Sequence, residues 1–349
     1  MRILVASAQR LVVEAVRRAV SRKGWEVVHV SRDGDDALSG SHTEKPDLVL
    51  VDLDLPGRPL KEILRRIASS GPCVVLLAPS KAAVARGYDL LGEGAADVLP
   101  PPTIDVEGEL FGDVPFLARL ATHARLRHST PAPESVPFAR GPAETGRRRQ
   151  PFGSVLPADA PLVAIGASTG GPAALAAIFD RLPRDLAAAV IVVQHIEEGF
   201  AQGLASWLEE RTGFPVLPAQ DGETLCLSTA YVAAMDRHLV LSPDRRLRYE
   251  EEPRSAVHKP SVDVFFESLV AQASPGLAIL LTGMGRDGAE GLAKLRRAGW
   301  STVAQDEKTS IVWGMPRAAA EIGAAQQVLP LQAIASVIEA FVNRAARRA

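Results

Sequence analysis

The chain has 349 residues, enough for two domains each with its own core, and its 47% hydrophobic and 23% charged content is ordinary for globular protein. A formal net charge of −2 argues against a generally basic nucleic-acid binder, and the two cysteines, Cys73 and Cys226, cannot build a disulfide framework or a cysteine-based zinc site. No apolar run approaches the ~20 residues of a spanning helix, and Met1–Ser7 enters strand-like sequence without a signal-peptide pattern. The expectation is a soluble, cytoplasmic protein with no nucleic-acid partner and no membrane insertion.

In chain order, Ile3-Leu4-Val5 is a short apolar run, Leu11–Val20 has helical spacing, and Trp25–Val30 is strand-like. Asp47–Val51 reads as a buried strand ending at Asp52, Cys73–Leu77 as another, and Asp97-Val98-Leu99 as a shorter one. This alternation predicts a doubly wound parallel sheet over residues 1–122. From 123 to 157 the sequence turns rich in proline and arginine and poor in large apolar residues, which predicts a flexible linker. The triple arginine Arg147-Arg148-Arg149 within it reads as part of a solvated spacer.

Residues 158–349 read as a second α/β domain. Leu162–Ile165 is an apolar strand that breaks into Gly166-Ala167-Ser168-Thr169-Gly170-Gly171 and resumes as a helix with Pro172 in its first turn. Ala189–Val193 runs into Gln194-His195. Tyr231–Tyr249 reads as a hairpin turning at Pro243-Asp244, and Val262–Leu269 as a helix with Ser261 as its N-cap. Leu277–Thr282 runs into Gly283-Met284-Gly285-Arg286-Asp287, Thr302–Gln305 is a further strand, and Leu331–Arg348 is an amphipathic helix that caps the fold.

Ser168, His195 and Asp287 each follow the C-terminal end of an apolar strand, the edge where open α/β sheets carry their sites. Their types are those of nucleophile, general base and orienting acid. Small neighbours around Ser168 suit a nucleophile elbow. A serine in a strand–helix turn is as often a helix cap, however, and Asp306, which also follows a strand, rivals Asp287. The glycine turn is not a dinucleotide fingerprint: Ser168 stands where G-x-G-x-x-G needs glycine, and the next strand ends in Gln194-His195.

Several strings together resemble the chemotaxis protein-glutamate methylesterase family (CheB-type). They are Ile165–Pro172, Val193-Gln194-His195, His258-Lys259-Pro260-Ser261-Val262-Asp263-Val264, Leu281–Ala289, Ala304-Gln305-Asp306-Glu307 and Gly314-Met315-Pro316. The resemblance implies a flavodoxin-like receiver domain followed by a Rossmann-like esterase domain. It implies hydrolysis of glutamyl γ-methyl esters on the cytoplasmic helices of methyl-accepting chemoreceptors and, in many members, deamidation of receptor glutamines. It assigns Ser168, His195 and Asp287 as the catalytic residues and the backbone N–H of Met284 to the oxyanion, with no metal or organic cofactor. Asp306 then becomes a structural or supporting carboxylate, and His238 and His258 read as structural or near the substrate cleft, with no catalytic role.

The receiver half departs from its pattern. Receiver phosphorylation uses Mg²⁺, a hard ion that needs oxygen ligands. Asp52 matches the phosphoacceptor, but Ser7 and Ala8 replace the acidic pair, Ala78 replaces the switch Ser/Thr, and Pro101 stands where the lysine belongs. The expectation is a pseudo-receiver that keeps its fold without efficient phosphotransfer. The esterase would then be constitutive, or gated by a chemotaxis histidine kinase or another signalling protein docking there. The alternative functions are a non-catalytic protein that docks on receptors and a hydrolase retargeted to another acyl group, since a triad defines acyl transfer and not its substrate.

Overall fold

Runs of apolar residues long enough for one strand, each followed by a helix, set both sheets. The computed structural model describes residues 1–126, 153–196, 198–272 and 274–347, and the chain divides into two compact units, Met1–Pro137 and Phe138–Ala349. The stretch 127–152, most of the expected linker, lies outside the described residues.

The first unit runs β1 (Arg2–Ala6), α1 (Arg10–Ser21), β2 (Glu26–Ser31), α2 (Gly34–Glu44), β3 (Leu48–Asp52), α3 (Leu60–Ser69), β4 (Cys73–Leu77), α4 (Lys81–Tyr88) and β5 (Asp97–Leu99). A short ribbon, β6 (Thr103–Ile104) and β7 (Leu110–Phe111), then precedes α5 (Asp113–Leu126). Its five strands are parallel in the order β2-β1-β3-β4-β5, the doubly wound flavodoxin-like arrangement. Every residue of β3 is buried, as a central parallel strand covered on both faces requires. On α1, Val12, Ala15, Val16, Ala19 and Val20 face inward at helical spacing.

The helix α5 continues past residue 122, where the first domain was expected to end. His123 on α5 is fully buried, and its Nε2 donates to Asp97 Oδ2 at 2.9 Å. Arg119, one turn earlier, donates to the same oxygen at 2.7 Å. His123, read as the first residue of the linker, is here part of an internal ion cluster.

The second unit runs β8 (Leu162–Ala167), α6 (Gly171–Phe179), β9 (Ala189–Gln194), α7 (Glu198–Thr212), β10 (Val216–Pro218), β11 (Thr229–Val232), β12 (His238–Leu241), β13 (Leu247–Glu250), α8 (Val262–Leu269) and β14 (Leu277–Leu280). It continues through α9 (Ala289–Arg297), β15 (Ser301–Gln305), α10 (Met315–Glu321), β16 (Gln327–Leu329) and α11 (Leu331–Ala346). Seven parallel strands lie in the order β10-β11-β9-β8-β14-β15-β16. The core strand β8 is flanked by β9 and β14, so the residues just beyond these three strands meet at one edge.

Three details differ from the sequence reading. Tyr231 lies in β11 of the main sheet, and the hairpin is the shorter pair β12–β13 around Pro243-Asp244. The side chain of Tyr231 is drawn inward, where its hydroxyl accepts from Cys226 N. The short strands β10 and β16 add to the sheet at its two edges. Finally, the unit begins before residue 158: Leu156 is buried and its N–H donates to Leu225 O, while Leu227 N donates to Ser154 O. Helix α11 packs on α6 through a buried stripe of Ile334, Ala335, Ile338 and Val342, as its amphipathic pattern predicts.

Candidate active site

The turn after β8 is tight because two glycines permit it. Gly170 has a left-handed φ of 81°, and a Cβ on Gly171 would lie 1.9 Å from Gln194 Oε1. Within this turn Ser168 N donates to Thr282 O at 3.0 Å, and Ser168 O accepts from Gly171 N at 2.8 Å. Gln194 Nε2 bridges to Ser168 O at 2.8 Å and His195 O at 3.2 Å. One buried amide thus ties the backbone of the serine to that of the histidine. The N-cap of α6 is Gly170 and no side chain caps it, so Ser168 does not spend its hydroxyl on the helix.

His195 follows β9 as Ser168 follows β8, and the register pairs the preceding residues, Ala167 and Gln194. Its N–H donates to Ala167 O at 3.0 Å, and the side chain is buried. Nε2 lies 2.7 Å from Asp287 Oδ2. An ionised carboxylate only accepts, which fixes the proton on Nε2.

Asp287 is held by four donors. Oδ2 accepts from His195 Nε2 and from Val262 N at 2.7 Å; Oδ1 accepts from Ser261 Oγ at 2.8 Å and Asp263 N at 3.0 Å. Two of these are first-turn amides of α8, so the carboxylate also caps that helix from another segment. Burial alone would push the Asp287 carboxyl up. The hydrogen bond and charge of His195, helped by the α8 amides, win and hold it well below the usual carboxylate range. The neighbouring Asp263 goes the other way, pushed up to about 6 by burial and by the charge of Asp287, against the N–H of Gly291 at 2.7 Å.

Asp306, the rival acid, spends Oδ1 on Thr309 N and Thr309 Oγ1 at 3.0 and 2.6 Å, closing its own turn. Met284 is half-buried next to Gly283, whose added Cβ would lie 2.8 Å from Ser168 Cβ. That close approach puts Gly283, the residue before Met284, against the Ser168 side chain. Ser261 caps α8 as expected, accepting from Val264 N at 3.3 Å, and it also donates to Asp287.

Two histidines that the sequence places as structural or near the cleft make contacts that its pattern does not specify. The His258 ring stacks on His195 with centroids 4.2 Å apart and planes 22° apart. Buried His238 accepts from Ser261 N at its Nδ1 and donates to Pro253 O from its Nε2, each at 3.2 Å. Both contacts join distant loops, and no local periodicity announces them. For His258 the string His258–Val264 is the one signal.

In the first unit, Asp52 ends β3 and is buried. Oδ2 accepts from Ser7 Oγ at 2.6 Å and Gln9 Nε2 at 3.2 Å, and Oδ1 from Asp54 N at 3.0 Å. A hydroxyl and an amide stand where a receiver's metal site needs carboxylates. Among the described residues no group of three or more His, Cys, Asp or Glu side chains could hold a metal ion. The donor set here does not fit Mg²⁺.

The profile of the CheB methylesterase family matches residues 163–338. A protein-glutamate methylesterase/protein-glutamine glutaminase of Cupriavidus metallidurans is 40% identical over 342 residues, 96% of each chain. The protein of that name from Mesorhizobium japonicum is also 40% identical, covering 97% of this chain and 98% of its own. Among solved structures, the CheB methylesterase catalytic domain of Thermotoga maritima aligns at 34% identity with a TM-score of 0.50, over 52% of this chain and 98% of that domain.

Proposed function

Because the chain belongs to the CheB methylesterase family, we infer that it is a protein-glutamate methylesterase that hydrolyses γ-methyl glutamyl esters on chemoreceptor helices. The observation that carries the reading is the bond from His195 Nε2 to Asp287, just beyond the end of a strand whose neighbour leads directly into Ser168.

The course of the protons follows from that bond. Asp287 holds Nε2, so Nδ1 of His195 takes the Ser168 proton as Oγ attacks the ester carbonyl. Asp287 then stabilises the imidazolium without taking its proton. The Met284 N–H and the α6 N-terminus meet the negative oxygen of the tetrahedral intermediate, where losing one donor costs about 2.7–4 kcal/mol. Collapse breaks the bond to the methoxy group, which leaves as methanol with the proton from Nδ1. Water, deprotonated by the same nitrogen, cleaves the glutamyl–Ser168 ester and frees a glutamate. With a glutamine substrate the leaving group is ammonia, which is the deamidation named in the relatives.

Asp52 in this reading is not a phosphoacceptor. Ser7 and Gln9 occupy the oxygen that would face a metal, and the first unit serves as a docking element, with a chemotaxis kinase or another signalling protein as its partner. The test of the chemistry is to trap the acyl-enzyme. A methylated receptor peptide is mixed with the protein, quenched in acid and digested. A glutamyl adduct on the Ser168 peptide is expected, and an adduct on another residue would refute the assignment.

A further inference from the structure

Among the described residues, His258 is an imidazole in contact with the site that the acyl-transfer scheme leaves without a task. It sits in the segment between β13 and α8, which neither a strand nor a helix stiffens. The segment is nevertheless tied at both ends by a single buried ring. His238 on β12 donates to Pro253 O and accepts from Ser261 N, each at 3.2 Å. Ser261 is tied onward to Asp287 at 2.8 Å, and Lys259 pairs with Glu251 at 3.4 Å. The residue presented between these anchors lies flat on His195, with ring centroids 4.2 Å apart.

We propose that His258 is a positioning residue for acyl transfer, holding the plane of the His195 ring while that ring gains and loses its proton. The bond to Asp287 fixes one edge of His195, and a flat neighbour at van der Waals distance sets the plane of the ring about that bond, the orientation in which Nδ1 serves Ser168. The proposal rests on the esterase reading only for the roles of Ser168 and His195, not for the identity of the ester.

The test uses full-length protein and a fluorophosphonate that labels the activated serine irrespective of substrate. The maximal labelling rate and half-saturating concentration are measured for wild type, His258→Ala and His258→Phe, with methanol release from methylated receptors alongside. His258→Ala is expected to slow maximal labelling by about tenfold or more, because a small misplacement of a reacting group is costly. The half-saturating concentration should stay within about twofold. His258→Phe, which restores a flat face without a titrating group, should recover most of the rate.

An unchanged rate in His258→Ala would overturn the proposal. So would a loss seen only in half-saturation, or a Phe variant as slow as Ala. An equal fall in melting temperature in both variants would make the role structural and overturn it as well. Unlabelled wild type would overturn it together with the Ser168 assignment. Labelling without methanol release would instead refute the substrate reading and leave the His258 comparison to be judged by labelling alone.

Discussion

Asp52 and Asp287 occupy matching places, each beyond or at the end of a core strand of a parallel sheet, and their surroundings differ in kind. Asp52 is enclosed by Ser7, Gln9 and the Asp54 amide, neutral groups that satisfy its oxygens and offer no chemistry. Asp287 also has three neutral donors, the Val262 and Asp263 amides and the Ser261 hydroxyl, but its fourth partner is an imidazole that can move a proton. Position at the sheet edge makes a site available. The residues contributed by neighbouring loops decide whether it does anything. Around Asp52 a serine and an alanine stand in place of the acidic pair, while His195 and the α8 amides hold the Asp287 carboxyl ionised.

The contrast is broken most directly by exchanging both acids for amides. Asp287→Asn should lower kcat for methanol release by about 10⁴, since the amide favours the wrong His195 tautomer. Asp52→Asn should leave kcat within about twofold, because no step passes through it. Comparable losses in the two variants would mean that the first unit shares in the chemistry.

A next-largest effect is expected at the buried cluster of the first unit, and it is read in stability. Burial works against both ions of the Asp97–His123 pair. The charge of Arg119 and the bond to His123 nevertheless hold the Asp97 carboxyl at about 2, and the bond to Asp97, with Cys73 adding, raises His123 to about 9. Asp97→Asn leaves Arg119 and His123 without their counter-ion and should cost about 3–5 kcal/mol in urea unfolding of this unit. The pH dependence follows from the two directions. The Asp97 contribution is complete above its ordinary 3.8 and is lost as pH falls through about 2; the His123 contribution is complete below its ordinary 6.5 and is lost as pH rises through about 9. Urea midpoints should therefore hold steady between those ordinary values and decline on the alkaline side. A midpoint that climbs from neutral to alkaline pH would contradict the pairing.

Smaller effects sharpen the contrast. Ser261→Ala removes one of four donors to Asp287 and should cost about 1–2 kcal/mol in transition-state stabilisation, seen in kcat with little change in KM. Incubation with a small phosphodonor and Mg²⁺ should leave Asp52 without stoichiometric label by mass spectrometry, and stoichiometric label would end the pseudo-receiver reading.

Much of the fold is legible in the sequence, for a definite reason. Strands covered on both faces are continuous apolar runs, so Leu162–Ile165, Ala189–Val193 and Leu277–Leu281 announce themselves, and the residues just after them locate the site edge. Contacts between residues distant in sequence are not legible in the same way. Pattern leaves Asp287 and Asp306 level, because both follow strands; they differ in that Asp306 folds back on Thr309 three residues away. Tyr231 and Tyr249 read as two arms of a hairpin because the turn Pro243-Asp244 lies between them, yet Tyr231 belongs to a four-residue strand of the main sheet. His123 reads as linker because charged residues are rarely interior, and only the partner Asp97, 26 positions away, explains its burial. The stack of His258 on His195 has the same character.

A working serine esterase in the second unit, beside a first unit that carries no phosphoryl switch, is tested most directly by methanol release from methylated chemoreceptor membranes. Full-length protein without phosphodonor is measured beside Ser168→Ala. The expected result is release by the unmodified protein, no change when phosphodonor and Mg²⁺ are added, and a loss of several orders of magnitude in Ser168→Ala. Release that persists in Ser168→Ala, or none from protein that demonstrably binds the receptors, would contradict it.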